Sequence, residues 1–344
     1  MGALLISVFR VVFAPFSLLF ISATLLIGGA ALWAGMAYVI FAATALDAVW
    51  QVRDEGDAES EPDILMPTAI LSVVLAAAFA AFIPSATTVE LIAGTLIAGA
   101  VFGTIANIVA HELIHQEDRP VRFFLGMVLE ALSLDPADTV GHDLHHSLVA
   151  TPADPSSARK GEGFWHFLFR SVPGAAVGSF RLEAKRLGGT GWSLQNRVLQ
   201  AVIVQLAALA LFYLTAGWRG LLAFICAGAL ARIIVEATKY SSHYGLVRVP
   251  GSDIEMRHSW NAKGGVSSRA LFNAGWHSDH HVNDDRPYRQ IQLPENAPIN
   301  PHSAGLTFAC ALVPPLWFSV MDPLVEKWML EFASAEERAI AAAG

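Results

Sequence analysis

The stretch VELIAGTLIAGAVFGTIANIVAHELIH, residues 89–115, contains the two features that decide the fold of this chain. Its first part, Val89–Ala110, is mostly apolar and has Glu90 as its one charged residue, and about 20 such residues span the hydrocarbon core of a bilayer as a helix. In its last part His111 and His115 are four positions apart, so both imidazoles lie on one face of a helix. The stretch therefore predicts a membrane-spanning helix that ends in a pair of metal-binding side chains.

The composition of the whole chain agrees with a membrane protein. Of its 344 residues 54% are hydrophobic and 15% are charged, whereas soluble domains carry about 25% charged residues. The apolar N-terminal stretch continues past residue 40 without a cleavage site, which indicates a retained anchor and not a signal peptide. We expect one all-α integral membrane domain over residues 1–344.

Apolar runs of sufficient length predict about six transmembrane helices. They lie at residues 4–26, 28–50, 66–83, 89–110, 198–216 and 221–237. The fifth and sixth are separated only by the short turn Gly217–Gly220. A further apolar run, Leu306–Val320, contains Pro314 and Pro315, which break a helix, so it predicts a membrane-surface segment.

Histidines are concentrated in three short boxes and one isolated position. The boxes are HELIH at 111–115, HDLHH at 142–146 and HSDHH at 277–281, and the isolated residue is His243. An even number of predicted crossings separates the end of the fourth span from the end of the sixth, so all of them face one side of the membrane. The distribution of Arg and Lys between the loops indicates that this side is the cytoplasm.

The number of imidazoles predicts more than one metal ion. Nine histidines exceed what a single ion accepts, and imidazole-rich sites with open positions suit iron, so we predict a two-metal centre. The predicted ligands are His111, His115, His142, His145, His146, His243, His277, His280 and His281. His166, His258 and His302 lie outside the boxes and are expected to be ordinary structural residues.

Three carboxylates lie inside the boxes, and their role stays open at this point. Glu112, Asp143 and Asp279 could accept a hydrogen bond from the second nitrogen of a ligating imidazole, or could themselves bind or bridge the metal. Glu236, shortly before His243, is a further candidate.

Other sequence features exclude or weaken competing functions. Cys226 and Cys310 are distant and lie in apolar runs, so they predict neither a disulfide nor an iron–sulfur cluster, and electrons must come from another protein. The net charge of −8 does not suggest a nucleic-acid partner. HELIH also fits the H-E-x-x-H signature of zinc metalloproteases, but a protease does not explain two HxxHH boxes. Transport sites normally lie near the bilayer midplane, unlike these boxes.

The order HxxxH, HxxHH, HxxHH in a polytopic membrane protein resembles the membrane di-iron superfamily of fatty acid desaturases and lipid hydroxylases. The flanking residues resemble the alkane hydroxylase (alkane 1-monooxygenase) family most. The matching stretches are HELIH, HHSLVATPADPSSARKGEGFW from His145, HYGLVR from His243, WHSDHHVNDDRPYRQIQLPENAP from Trp276 and VPPLWFSVMDP from Val313. They extend over roughly the last two thirds of the chain.

This resemblance implies a chemistry. Members of the alkane hydroxylase family use two iron ions, O2 and two electrons from a rubredoxin or ferredoxin with its reductase to hydroxylate an unactivated C–H bond, typically a terminal methyl. We therefore expect an alkane, alkylaromatic or lipid-like substrate, a bacterial inner-membrane location, contact with membrane lipids and the nine histidines as ligands. Within the superfamily, desaturation and alkene-forming decarboxylation are the alternatives.

The sequence departs from the alkane hydroxylase pattern at three places. His142 and His145 are three positions apart where that family usually has four, Lys239 and Ser242 replace its usual asparagine and glutamate, and the third box is preceded by FNAGW. These changes leave substrate and reaction outcome open more than metal binding.

Overall fold

The computed structural model describes residues 2–49, 62–263, 268, 270–293 and 297–343, and all regular structure within them is helical. An isolated bridge between Asn261 and Ile299 is the sole β pairing in these ranges. The all-α prediction is thus confirmed. Most of the acidic stretch DEGDAESEPD, residues 54–63, which contributes to the net charge of −8, lies outside the described residues.

Thirteen helices are numbered here in chain order, with the middle of the fourth span formed by a π-helical turn, Phe102–Ala106, between α4 and α5. Their bounds are α1 Gly2–Ile27, α2 Gly29–Val49, α3 Leu65–Phe82, α4 Thr88–Val101, α5 Asn107–Ile114, α6 Pro120–Glu130, α7 Asp138–Leu148, α8 Phe164–Arg186, α9 Arg197–His243, α10 His277–Val282, α11 Ala304–Ala311, α12 Pro314–Glu331 and α13 Ala335–Ala343. A capping box starts α4, where the Thr87 hydroxyl accepts from the Glu90 N–H and the Glu90 carboxylate accepts from the Thr87 N–H.

Three continuous helices are long and apolar enough to cross a membrane, namely Leu65–Phe82, Thr88–Ile114 and Arg197–His243. Two shorter apolar helical stretches, Val11–Ile27 and Gly29–Ala42, lie where the first two spans are predicted. The apolar surface of α9 is largely uncovered by protein, since only 22% of its most hydropathic window is buried. Such an uncovered apolar surface is what contact with lipid requires.

Helix α9 is a hairpin and not a straight rod. A straight helix of 47 residues would be about 70 Å long, more than twice the thickness of the hydrocarbon core. Its backbone leaves the helical region at Ala216 and at Gly217, where φ is +58°. The rings of Phe212 and Phe224, on either side of this break, stack with their centroids 4.3 Å apart, so the chain folds back on itself. The break falls where the sequence predicts the turn between two spans.

The C-terminal apolar run forms two helices instead of one surface segment. Helices α11 and α12 meet at an angle of 117° at Val313, directly before Pro314 and Pro315. By length and composition the pair could serve as one broken span or as a re-entrant loop. The prolines occupy the first turn of α12, where their missing N–H groups cost nothing.

The second arm of the α9 hairpin packs closely against the fourth span because that span has small residues at the crossing. A Cβ on Gly99 would lie 2.7 Å from the Ala227 carbonyl oxygen, and one on Gly103 would lie 2.7 Å from that of Ala231. Glycine at both positions therefore allows the backbones to touch. This contact fixes the height at which the ends of α5 and α9, and hence His111 and His243, lie next to each other.

Candidate metal centre

Four separate segments bring the eight box histidines and His243 to one place. His111 is in the last turn of α5, and His115 directly follows that helix. The three histidines of the second box lie along α7, His243 is the last residue of α9, and the third box forms α10. The side chains divide into two groups, which we call group A (His111, His115, His142, His146, His280) and group B (His145, His243, His277, His281).

In group A, the Nε2 atoms face one another. The Nε2–Nε2 distances are 2.9 Å between His111 and His280, 2.8 Å between His115 and His142, and 3.0 Å between His146 and His280. The ligand nitrogens of the four other than His146 all lie within 4.8 Å of one another. Five imidazoles thus point at one small volume.

Group B has the same arrangement with four imidazoles. The Nε2–Nε2 distances are 3.1 Å between His145 and His243, 3.0 Å between His243 and His277, and 3.0 Å between His277 and His281. All four ligand nitrogens lie within 4.8 Å of one another. His145 and His146 are neighbours in sequence but point to different groups, because consecutive residues on a helix are about 100° apart.

Both groups fit metal ions. Bonds of about 2.0–2.1 Å from imidazole nitrogen to a metal place neighbouring ligands of an octahedral ion roughly 2.9 Å apart, and the measured spacings are 2.8–3.1 Å. Without a cation, several nitrogen lone pairs would face each other in a buried site, and hydrogen bonds could satisfy only some of them. The donor set therefore suits iron, which the histidine content already indicated.

Burial keeps these imidazoles neutral, as metal ligands must be. It lowers the pKa of His142, His146, His277, His280 and His281 well below the ordinary value of 6.5, and neighbouring imidazoles lower it further. The lone pairs are consequently free at neutral pH.

A carboxylate that the sequence reasoning did not single out holds one of these imidazoles. The Asp154 Oδ2 atom lies 2.8 Å from the Nδ1 atom of His145, and the carboxylate is fully buried. It also accepts hydrogen bonds from the Ser157 hydroxyl and from the Ser156 N–H. A carboxylate on the second nitrogen fixes the ring and its tautomer, which is a common arrangement around metal-binding histidines. The only signal for it was its place in the stretch HHSLVATPADPSS.

The three carboxylates inside the boxes contact other groups. Asp279 accepts from Arg286, Asn283 and the Gln292 N–H, and so stabilises the segment after the third box. The side chain of Asp143 is 45% exposed and lies 3.9 Å from Arg197; burial and nearby carboxylates raise its pKa to about 6.

Glu112 is buried at the end of the fourth span. Among the residues that the structure describes, none of these three box carboxylates is hydrogen-bonded to an imidazole. Glu236 lies in a buried charged cluster next to Arg232 and Lys239.

The third box is held by a buried asparagine. The Asn261 Oδ1 atom accepts from the Ser278 N–H, and its Nδ2 group donates to the Ser278 hydroxyl and to the Pro298 carbonyl. These bonds fix the start of α10, where the box begins. Nothing in the local sequence pattern pointed to Asn261, since its partners are distant in the chain.

The histidines outside the boxes have other partners. His166 contacts Glu162, and buried His258 contacts Glu337, which ties α13 to the segment Met256–His258. Neither belongs to group A or group B.

In its described residues the chain is all-helical, has long apolar helices and brings imidazoles together in two groups that could hold metal ions, as expected of the class of histidine-rich membrane metalloproteins. A family model described as "Fatty acid desaturase" matches residues 86–302, which include all nine histidines of groups A and B. The chain belongs to this family.

The chain is also similar to several curated monooxygenases. Alkane 1-monooxygenase 1 of Pseudomonas aeruginosa is 34% identical over 67% of this chain and 62% of the relative. An alkane 1-monooxygenase of Pseudomonas putida is 32% identical over 70% and 61%, respectively. The hydroxylase component of a xylene/toluene monooxygenase of Pseudomonas putida is 29% identical over 68% and 64%. The similarity thus spans less than two thirds of each relative, and it confirms the resemblance drawn from the box-flanking residues.

Proposed function

We propose that this protein is a membrane monooxygenase that inserts one oxygen atom of O2 into an unactivated C–H bond of an apolar substrate. The observation that carries the proposal is the division of nine buried or half-buried imidazoles into two groups of metal-ligand spacing in a chain of the desaturase family. Two groups match two iron ions, and reductive activation of O2 is the chemistry that such a pair supplies.

The residues of the chain have distinct tasks in this proposal. Group A and group B each bind one ion through Nε2 atoms, and burial lowers the pKa of His142, His146, His277, His280 and His281 so that these imidazoles stay unprotonated. Asp154 orients His145 through its Nδ1 atom. Asn261 and Ser278 hold the third box, which contributes to both groups.

The expected arrangement in the membrane follows from the positions of the helices. We propose six spans, with α9 contributing two as a hairpin, and a site on the cytoplasmic side of a bacterial inner membrane. The short turn at Gly217–Gly220 then faces the opposite side together with the start of α4. Cytoplasmic placement suits an enzyme that takes electrons from a soluble donor.

The proposed electron donor is supported by the electron balance of the reaction, and the proposed substrate by the names of the relatives. Hydroxylation consumes one O2, two electrons and two protons and yields an alcohol and water. Cys226 and Cys310 cannot hold an electron-transfer cluster by themselves, so a rubredoxin or ferredoxin with its reductase supplies the electrons. Because relatives named alkane 1-monooxygenase and xylene/toluene monooxygenase share the boxes' region, we propose a terminal methyl of an alkane, alkylaromatic or lipid-like molecule as the reacting group.

A desaturase or an alkene-forming decarboxylase of the same superfamily would use the same metal groups and differ only in the product. An intramembrane zinc protease that uses HELIH would need Glu112 as a base beside a single zinc ion. In such a protease the four imidazoles of group B would have no function.

The test is to purify the protein in detergent, measure iron and zinc per chain, and supply alkanes, alkylaromatics and fatty acids with rubredoxin and its reductase. Two irons and alcohol products identified by mass spectrometry are the expected result. Alkene products would show that the reaction is desaturation or decarboxylation and not hydroxylation. One zinc ion per chain together with peptide cleavage would refute the proposal. His280→Ala should lose both iron and activity, while His166→Ala, outside both groups, should retain them.

A further inference from the structure

A layer of buried polar side chains lies one helical turn before the imidazoles. Asn107 precedes His111 by four residues on the fourth span, Asp138 precedes His142 by four on α7, and Lys239 precedes His243 by four on α9. Residues four apart share a face of a helix, so the three polar residues lie directly behind the three histidines. We call the set Asn107, Glu130, Asp135, Asp138, Arg232, Glu236 and Lys239 the polar layer.

Hydrogen bonds and ion pairs in the polar layer connect different helices. The Lys239 Nζ atom donates to Asp138 Oδ1 at 2.7 Å, which joins the end of α9 to the start of α7. The Asn107 amide donates to the Glu130 carboxylate at 3.2 Å, which joins the fourth span to the end of α6. Arg232, two turns before Lys239 on α9, is paired with Asp135 in the α6–α7 connection. Each of these contacts ties a histidine-bearing helix to its neighbour.

Lys239 is the most connected member. Besides Asp138, its ammonium group lies 3.7 Å from Glu236 and 3.8 Å from Asp135, and its side chain is only 13% exposed. An ion pair in such a buried place is costly to form and more costly to break on one side. Its value therefore lies in fixing the positions of the helices that it joins.

We propose that Lys239 is a positioning residue: its ion pair with Asp138 sets α9 against α7 and thereby places His243 at bonding distance from the ion that His145 binds. The ion pair crosslinks the two helices one turn behind these imidazoles, whose Nε2 atoms are 3.1 Å apart. On the other side of His243, the Arg248 guanidinium donates to the carbonyls of Ser147 and Val149 at the end of α7, so the ion pair and these bonds hold the chain on both sides of the imidazole. This inference rests on the proposed metal centre.

The carboxylates of the layer have a second conceivable use, since oxygens of Glu130, Asp135 and Asp138 lie within 4.8 Å of one another. Two cations of the chain, Arg232 and Lys239, already lie against Asp135 and Asp138. Two of these three carboxylates are therefore already paired with cations of the chain, and we expect the layer to bind no third metal ion.

The test is a Co2+ titration of the metal-free protein in detergent, followed by visible absorption, for the wild type and four variants. Lys239→Met removes the cation, Asp138→Asn/Lys239→Met removes both charges, and Lys239→Arg retains the cation. Lys160→Met is the matched control, because it breaks an exposed lysine–carboxylate pair with Glu326. Thermal unfolding of each metal-free variant measures stability separately.

We expect two ions per wild-type chain, and about 10–100-fold weaker binding of one of them in Lys239→Met, the range typical for loss of a residue that orients a ligand. The double variant should regain part of the stability, because the Asp138 carboxylate is no longer left without its cation, but it should not regain affinity. Lys239→Arg and Lys160→Met should bind both ions as the wild type does, and the visible spectrum of one ion alone should change in the Met variants.

Three results would overturn the inference while leaving the metal centre intact: wild-type affinity in Lys239→Met, recovery of affinity in the double variant, or equal loss in Lys239→Arg. A third ion in the wild type that is lost on substituting Glu130 would instead assign the layer a metal of its own. Absence of metal binding by the wild type would refute the proposed function itself.

Discussion

Replacing Asp154 by asparagine tests whether a carboxylate tunes the metal centre through His145. The Oδ2 atom of Asp154 accepts both the His145 Nδ1–H, at 2.8 Å, and the Ser157 hydroxyl, at 2.6 Å, while Oδ1 accepts the Ser156 N–H. An amide nitrogen at the Oδ2 position can accept neither bond, and at the Oδ1 position it would face the Ser156 N–H. Asp154→Asn must therefore lose at least one of the three bonds in either orientation.

The size of the effect follows from the charge and burial of this contact. A hydrogen bond to a charged group contributes about 1.5–3 kcal/mol, and about 1.4 kcal/mol corresponds to a tenfold change in an equilibrium constant. We expect Asp154→Asn to weaken binding of one ion roughly 10–100-fold, in line with the usual effect of residues that hold a ligating imidazole.

The assay is competition for Co2+ or Fe2+ between the protein and a chelator of known affinity. Asp143→Asn is the control, because Asp143 lies on α7 with His145, is 45% exposed and contacts Arg197 only at 3.9 Å. Such exposed pairs contribute about 0–1 kcal/mol to stability. Equal affinities for Asp154→Asn and the wild type, or a larger loss in Asp143→Asn, would refute the role assigned to Asp154.

Two further predictions concern stability. The free energy of unfolding of the metal-free protein should fall as the pH is lowered from 7 to 5.5. Buried His142, His146 and His280 have lowered pKa values in the folded protein, so below about pH 6.5 only the unfolded chain takes up protons at these residues, and the free energy of unfolding falls by about 1.4 kcal/mol per pH unit for each group. A free energy of unfolding that does not change over this pH range would contradict this. Gly103→Ala should lower the free energy of unfolding by about 1–3 kcal/mol, because the new Cβ would lie 2.7 Å from the Ala231 carbonyl oxygen. Gly189→Ala is the control, because a Cβ there would have nothing within 4 Å. Thermal unfolding in detergent compares the two variants, and equal effects would show that the close crossing is unimportant.

The sequence predicted much of this architecture because hydrophobic runs and histidine spacing are local signals. The break in the α9 hairpin falls at the predicted turn, and the boxes converge as the even number of crossings requires. The break between α11 and α12 also falls at Pro314 and Pro315, where the sequence predicts that a helix is interrupted. The second helix that begins at these prolines was not predicted, although proline is favourable in the first turn of a helix.

The division of the histidines could not be predicted, because it depends on the rotation of α7 relative to its neighbours. His145 and His146 belong to different groups, and nothing in HDLHH alone assigns them. The partners of the imidazoles were equally hidden. The acidic residues inside the boxes attracted attention through proximity in sequence, whereas Asp154 reaches His145 from nine residues away through the turn around Pro152 and Pro155.

The distribution of ligands along the chain also determines when the centre can be assembled during synthesis. Group A joins His111 to His280, which are 169 residues apart, and group B ends with His281. Neither group is complete until the ribosome has passed the third box, by which time the whole of α9 has already been translated. Metal loading is therefore a late event in biogenesis, and a chain truncated before residue 277 would expose half-built sites.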